Sequence, residues 1–435
     1  MLRDHGQAKT ELSAQDLHEQ VKYILLKDRR NGYSRRLKAH FDYIKPAHRK
    51  YPYQYLWDTC LIVMILCDLE QYSLAEQQLN NLFQAQRSDG FIGHIIYWKN
   101  LLPEKPQDFF QARTLKSGLM PEMSALIQPP LLAQALERIY QKTKDVQFVN
   151  ELLPKIEKYI DWIANNRDFD GGSLITIITS FESGMDYKPS YDALWGNPKK
   201  RGGYSLFVAA EKTDFNNFIR GYNLQRIYQA DKFLVKDVLV NTIYSLELSA
   251  IANLESILGH KVRTSAYQKK ADKVAGSILE KMYDADEQAF FDLAGRQEKM
   301  LKTLTPTAFY PLALKNTPKK LIEDMIGRHF SSSEEFHCPF PIPSLAINDK
   351  AFSPIGSRYL WRGPTWMLHN WFLEKHLRKR GYAELADELF ASSLQLIKDS
   401  GFREYYNPFT GEGYGAKDFT WCGLVVDMGL GDIKD

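Results

Sequence analysis

Along most of this chain apolar residues recur every three to four positions, the spacing of a helix with one face turned to a core. Tyr267, Ala271, Val274, Ile278 and Met282 form one such stripe. Other segments are apolar nearly all round. Val238, Val240, Ile243, Leu246, Leu248, Ile251 and Leu254 leave no wide polar face, the mark of a helix covered on both sides. The periodicity predicts helices over 14–29, 55–69, 73–86, 130–142, 147–166, 237–258, 264–283, 306–314, 318–329, 362–380, 382–399 and 419–430, with strand signals few and short.

Spacing decides how these helices are arranged. Short turns join 55–69 to 73–86, 130–142 to 147–166, 237–258 to 264–283, 306–314 to 318–329 and 362–380 to 382–399, so each pair is an antiparallel hairpin. Longer connections run between hairpins, over 30–54, 87–129, 167–236, 284–305, 330–361 and 400–418. The first helix lacks a preceding partner and the last lacks a following one; pairing them closes a ring of six hairpins. The pattern therefore predicts an all-α fold, an (α/α)6 barrel forming a single domain over 1–435, with every long loop on one rim. An open α-solenoid is the alternative. Its repeats keep connections short and self-similar, and these are neither.

A length of 435 residues exceeds the usual single domain, which a toroid with a shared core accommodates. The formal net charge of +3 calls for no nucleic-acid or membrane partner. Lys199, Lys200 and Arg201, beside Gly202 and Gly203, read as a solvated loop. Cys60, Cys67, Cys338 and Cys422 contain no C-x-x-C pair, so neither a zinc site nor a redox dithiol is expected. Cys60 and Cys67 lie about 10 Å apart along one helix, too far for a disulfide. No metal or cofactor is called for. The polar N-terminus lacks the apolar stretch of a signal peptide, and the longest apolar run, Leu61 to Cys67, falls far short of the roughly 20 residues that span a bilayer. The expectation is a soluble, cytoplasmic protein; nothing in the sequence sets an oligomeric state.

Aromatic residues reach 13% and gather in the long loops and the helix starts beside them. Tyr53, Tyr55, Trp57 and Asp58 open the first inner helix, and Asp89, His94, Tyr97 and Trp98 follow its outer partner. Glu182 and Asp186 lie in the longest loop, ahead of Tyr191, Asp192 and Trp195. Tyr359, Trp361, Arg362 and Trp366 come next, and Glu404, Tyr405, Tyr406 and Asn407 precede the final helix. A pyranose presents apolar C–H faces to Trp and Tyr while its hydroxyls need directed partners. Hydrolysis of its glycosidic bond needs two carboxyl groups. Each residue also has a structural reading: Asp58 complementing a helix N-terminus, Asp186 in a turn, Glu404 solvated, His94 satisfied in the core, the tryptophans as packing. Their joint placement on one rim favours a sugar site.

The stretches WDTC (57–60), Q-x-x-DGFIGHIIYW (86–98), QPP (128–130), SFESGMD (180–186), YLWRGPTW (359–366) and REYYNPFTGEGYG (403–415) resemble glycoside hydrolase family 63. They are similar in particular to its shorter bacterial members, which include glucosylglycerate and mannosylglycerate hydrolases. The resemblance runs in the family's order from about residue 50 to 425. It implies an inverting hydrolase of α-linked glucosides or mannosides, with Asp186 as general acid and Glu404 as general base. It also implies sugar contacts from Tyr55, Trp57, Asp58, His94, Tyr359, Trp361 and Arg362, to which Trp98 and Trp366 are added from the same clusters. Inversion implies carboxyl groups roughly 6.5–9.5 Å apart, with room for a water. One departure stands out: where the family commonly continues with Asn-Ser-Pro-Arg, this chain has Tyr187, Lys188, Pro189 and Ser190.

The partner implied is a small sugar substrate. A glycerate aglycone would require a cation, for which Lys188, Arg201 and Arg220 are candidates, and loop 187–204 is a candidate lid. Two rivals remain at this stage. A sugar epimerase on the same barrel would favour histidines at the pocket centre, where only His94 has a motif. A non-catalytic carbohydrate-binding protein would bind without hydrolysis.

Overall fold

Helices form where the apolar pattern is strongest, and the computed structural model describes them within residues 13–99, 105–196, 203–355 and 361–429. Helix Leu56–Asp68 buries every side chain from Leu56 to Cys67, and helix Val238–Ile257 is covered nearly all round. Their partners Tyr72–Gln84 and Lys261–Lys281 each bury one stripe; on the latter it is Tyr267, Ala271, Val274, Ala275 and Ile278. Asp145 and Asp237 cap the helices that follow them, accepting from the backbone N–H of Phe148 at 2.9 Å and of Val240 at 3.1 Å.

The covered elements pack in cyclic order. Leu56–Asp68 lies against Leu132–Thr143, then Val238–Ile257, Pro306–Ala313, Met367–Lys379 and Thr420–Asp427, which returns to Leu56–Asp68. Hairpin partners lie outside them, and Ala14–Lys27 packs on Thr420–Asp427, joining the two chain ends. The protein is thus predominantly helical.

Several elements differ from the periodicity. The segments expected as helices at 306–314 and 419–430 are 3-10 turns, Pro306–Ala313 and Thr420–Asp427. Pro311 removes a backbone donor inside the first. The second passes so close to its neighbours that a Cβ on Gly423 would lie 2.8 Å from Val21 Cγ1. The helix expected at 318–329 is Lys319–Met325 followed by a π turn, Ile326–Phe330. The one expected from 362 starts at Met367, after Gly363 and Pro364. The long connections are richer than expected: they hold helices Gly203–Phe218 and Leu224–Ala230, the short helices Pro106–Phe110 and Leu115–Leu119, and five small sheets among the described residues. Two of these sheets, Gln54–Tyr55 with Ile95–Ile96 and Val235–Lys236 with Asp292–Ala294, and single bridges stitch separate connections together, as when Thr365 pairs with both Pro343 and Tyr406.

The opposite end of the ring is closed by charge. Arg138 bonds Asp68, at the end of helix Leu56–Asp68, and Asp427, at 2.5 Å, in the last turn. Trp371 donates its indole N–H to Asp427 at 2.8 Å. Four inner elements are clasped there, with the apolar core between them and the loop-covered rim. Among the described residues no helix is long and apolar enough to cross a membrane, and no cluster of His, Cys, Asp or Glu is placed to hold a metal ion.

Candidate active site

Where the loops cover the start of helix Leu56–Asp68 there is a cavity of about 140 Å³. The helix N-terminus is held from the cavity side, with Leu56 N–H donating to the His94 carbonyl at 3.0 Å and Trp57 N–H to Gln128 Oε1 at 2.9 Å. Of the residues singled out in the sequence, Tyr55, Trp57, Asp58, His94, Asp186, Trp361 and Trp366 line this cavity. Trp361 and Trp366 stack with ring centroids 3.7 Å apart at 13°, and Trp421 lies 6.0 Å from Trp366 and 6.4 Å from Trp57, a continuous indole wall of the kind a sugar face packs on. The Trp57 indole N–H is buried without an acceptor, and such orphan donors are rare enough to require a reason.

Three carboxyls line this space, those of Asp58, Asp108 and Asp186. Asp186 follows a turn in which Gly184 has φ +76°, a conformation that favours glycine. The turn is anchored by Glu182, which is fully buried, accepts both arms of Arg167 at 2.5 and 2.8 Å, and takes the N–H groups of Ile127 and Ile178 at 2.9 and 2.8 Å. Burial pushes the Asp186 carboxyl up to about 7; the Lys50 ammonium opposes the rise and the Glu404 charge adds to it. Burial likewise pushes Asp58 up to about 7, against the Trp421 indole N–H that donates to it at 2.8 Å.

Glu404 is placed differently. It lies on strand Arg403–Tyr406, 2% exposed, and accepts from Lys50 Nζ at 2.7 and 2.9 Å, from the Tyr51 hydroxyl at 2.5 Å and from Ala416 N–H at 2.7 Å. Gly415 makes room for it: at φ +70° a Cβ there would lie 2.7 Å from Glu404 Cβ. Glu404 does not itself line the cavity; Tyr51 does, and its hydroxyl links the two. Burial, with the Glu404 charge next, holds the Tyr51 phenol well above its usual range.

Other expected contacts fall elsewhere. Trp98 is a core residue, stacked on Phe41 at 5.6 Å and donating to Gln54 Oε1 at 2.7 Å. Arg362 is spent on a bidentate pair with Asp192 at 2.8 and 2.5 Å and does not line the cavity. Lys188 is sealed between Asp237 and Asp292, each at 2.8 Å, and Arg220 donates to the Asn216 carbonyl at 2.6 Å, so neither stands in the cavity. In the candidate lid, residues 187–196 are pinned by this buried lysine and by Tyr191, which donates to Asp237 at 2.8 Å. Tyr359 and Arg201 lie outside the described residues, as does the lid segment 197–202. The cavity also gathers residues not singled out in the sequence: Tyr51, Lys105, Asp108, Gln111, Phe419 and Trp421. Gln128 carried a signal within QPP, and Trp421 opens an inner element much as Trp57 does.

An epimerase is poorly served by this pocket. His94, its histidine, bonds Ser124 Oγ at 2.5 Å and is pushed down to about 3 by burial, so it stays neutral. The family model for the mannosylglycerate hydrolase MGH1-like glycoside hydrolase domain matches residues 51–422. A mannosylglycerate hydrolase of Rubrobacter radiotolerans is 28% identical over 89% of this chain and 93% of its own. A glucosylglycerate hydrolase of Mycolicibacterium hassiacum is 26% identical over 88% and 92%. The crystal structure of a family 63 mannosylglycerate hydrolase from Thermus thermophilus, in complex with Tris, superposes with a TM-score of 0.82 at 25% identity, covering 94% of this chain and 99% of the other. The cavity therefore sits inside a sequence and a backbone shared with sugar-cleaving enzymes, and the chain belongs to the mannosylglycerate hydrolase MGH1-like family of glycoside hydrolases.

Proposed function

We propose that this glycoside hydrolase cleaves an α-linked mannoside or glucoside of glycerate with inversion, Asp186 acting as general acid and Glu404 as general base. The unequal treatment of the two carboxyls carries the reading. Asp186 faces the cavity with a pKa near 7, so it can hold a proton for the leaving oxygen at neutral pH. Glu404 is surrounded by an ammonium, a phenol and an amide N–H, a setting that suits an anion ready to accept a proton. The Tyr51 hydroxyl marks where a donor O–H meets Glu404. When Tyr51 turns aside, the attacking water takes that place and gives its proton to Glu404 as it bonds the anomeric carbon. Trp361, Trp366 and Trp421 pack the sugar ring, Asp58 accepts from a hydroxyl, and the orphan N–H of Trp57 gains an acceptor from the substrate.

We also read the cyclic packing of covered elements as an (α/α)6 barrel forming one catalytic domain, supported by the outer helices that partner the ring. The test is direct. Purified protein incubated with the α-mannoside and α-glucoside of glycerate, followed by proton NMR, is expected to release the β-anomer first. First release of the α-anomer would exclude inversion, and release of no sugar would reject the substrate class.

A further inference from the structure

We propose that Lys105 recognises a negatively charged aglycone at the cavity and sets a preference for anionic over neutral leaving groups, an inference that rests on the reaction proposed for this site. The lining carries three acids, Asp58, Asp108 and Asp186, and whichever of them is ionised repels an anionic substrate unless a cation answers it. Among the described residues Lys105 is the one lysine or arginine in that lining.

Three other cations near the site are committed among the described residues. Lys50 is held by Glu404, Lys188 by two aspartates and Arg362 by Asp192. Lys105 is exposed, and its ammonium pairs with no carboxylate among the described residues. Its backbone is fixed: the Lys105 N–H donates to Asp108 Oδ2 at 3.0 Å, and Asp108 in turn takes the Tyr53 hydroxyl at 2.8 Å. A flexible cationic arm thus springs from an anchored base.

The leaving oxygen takes its proton from Asp186, so the aglycone lies on the Asp186 side of the sugar. Lys105 and Asp186 line the same cavity, so the lysine borders the space in which the leaving group is protonated. A carboxylate there exchanges water for a charge-assisted hydrogen bond.

The experiment compares wild type, Lys105→Gln and Lys105→Arg on two glycosides of one sugar, the glycerate and the neutral glycerol. Wild type is expected to prefer the glycerate. In Lys105→Gln, KM for the glycerate glycoside should rise about tenfold with kcat within about twofold, while kcat/KM for the glycerol glycoside stays level. Lys105→Arg should recover most of the preference, and added salt should weaken it in wild type. An unchanged glycerate-to-glycerol ratio in Lys105→Gln, or a wild type that cleaves both equally, overturns the role of Lys105 while leaving the reaction in place. Wild type that cleaves neither glycoside overturns the reaction itself.

Discussion

Helix Leu56–Asp68 carries an aspartate near each end, and the two live under opposite rules. At the far end Asp68 meets Arg138 and Lys142, and the same arginine reaches Asp427. At the cavity end Asp58 meets one neutral donor, the Trp421 indole. Burial raises both, Asp68 to about 6, with the Asp427 charge adding to it, and Asp58 to about 7. The difference lies in what surrounds them. The far end spends its cations on fastening four inner elements, whereas the rim leaves Asp58, Asp186 and the Trp57 N–H without a charged partner or, for the indole, any partner. The far-end carboxylates are answered by cations and these cavity groups are not, as expected when binding groups wait for a ligand.

The sharpest way to break this contrast is Asp186→Asn. It should lower kcat by about 10²–10⁴-fold, the usual worth of a general acid. It should not lower the melting temperature, because the ionised carboxyl is a burden on the fold. A large loss of thermal stability would move Asp186 into the structural half of the molecule. Arg138→Ala should do the reverse, leaving two acids without their shared cation at a cost of about 3 kcal/mol in urea unfolding, with kcat of the folded enzyme retained. Turnover lost in proportion to stability would merge the two ends.

A smaller effect separates two indole–aspartate bonds of equal length. Trp421→Phe should cost about 1–3 kcal/mol, read in KM as well as stability, because Asp58 has no other donor side chain. Trp371→Phe should cost less, since Asp427 keeps Arg138. Equal losses would show that the ends are built alike. The smallest effect is on pH dependence. Asp58 and Asp186 have folded pKa values of about 7 against an ordinary 3.8, so the folded state holds more protons than the unfolded one between these values. Their contribution to stability is therefore lost as pH rises from about 4 to 7. Melting temperature should fall less over that range in the Asp58→Asn, Asp186→Asn double variant. kcat should also decline as pH rises through about 7, when Asp186 gives up the proton the leaving oxygen needs.

How far the sequence reaches depends on whether a residue's neighbours are local. Helices Leu56–Asp68 and Val238–Ile257 were legible because all-round burial writes itself into every position. The 3-10 turn at Thr420–Asp427 was not, since its tight approach to Val21 and Ile65 is a matter of partners hundreds of residues away. Helix Gly203–Phe218 was hidden inside a long connection whose aromatic and polar residues resemble a loop. The same divide runs through the site. Trp57, Asp58 and Asp186 sit in motifs beside helix ends and come to the cavity with them. Trp98 and Arg362 share those motifs, yet Gln54 and Asp192 claim them. Lys50 and Tyr51 matter only because the fold carries Glu404 to them across more than 350 positions.

The clasp at Arg138 has a kinetic consequence. With the ring fastened and packed at that end, the two products of the proposed reaction leave through the loop-covered rim, by the path the substrate came in. A binding mode with the sugar against the indole wall and the aglycone outermost has the aglycone depart first and the sugar queue behind it. Free sugar should then compete with substrate for the empty enzyme, whereas free aglycone should slow turnover without competing.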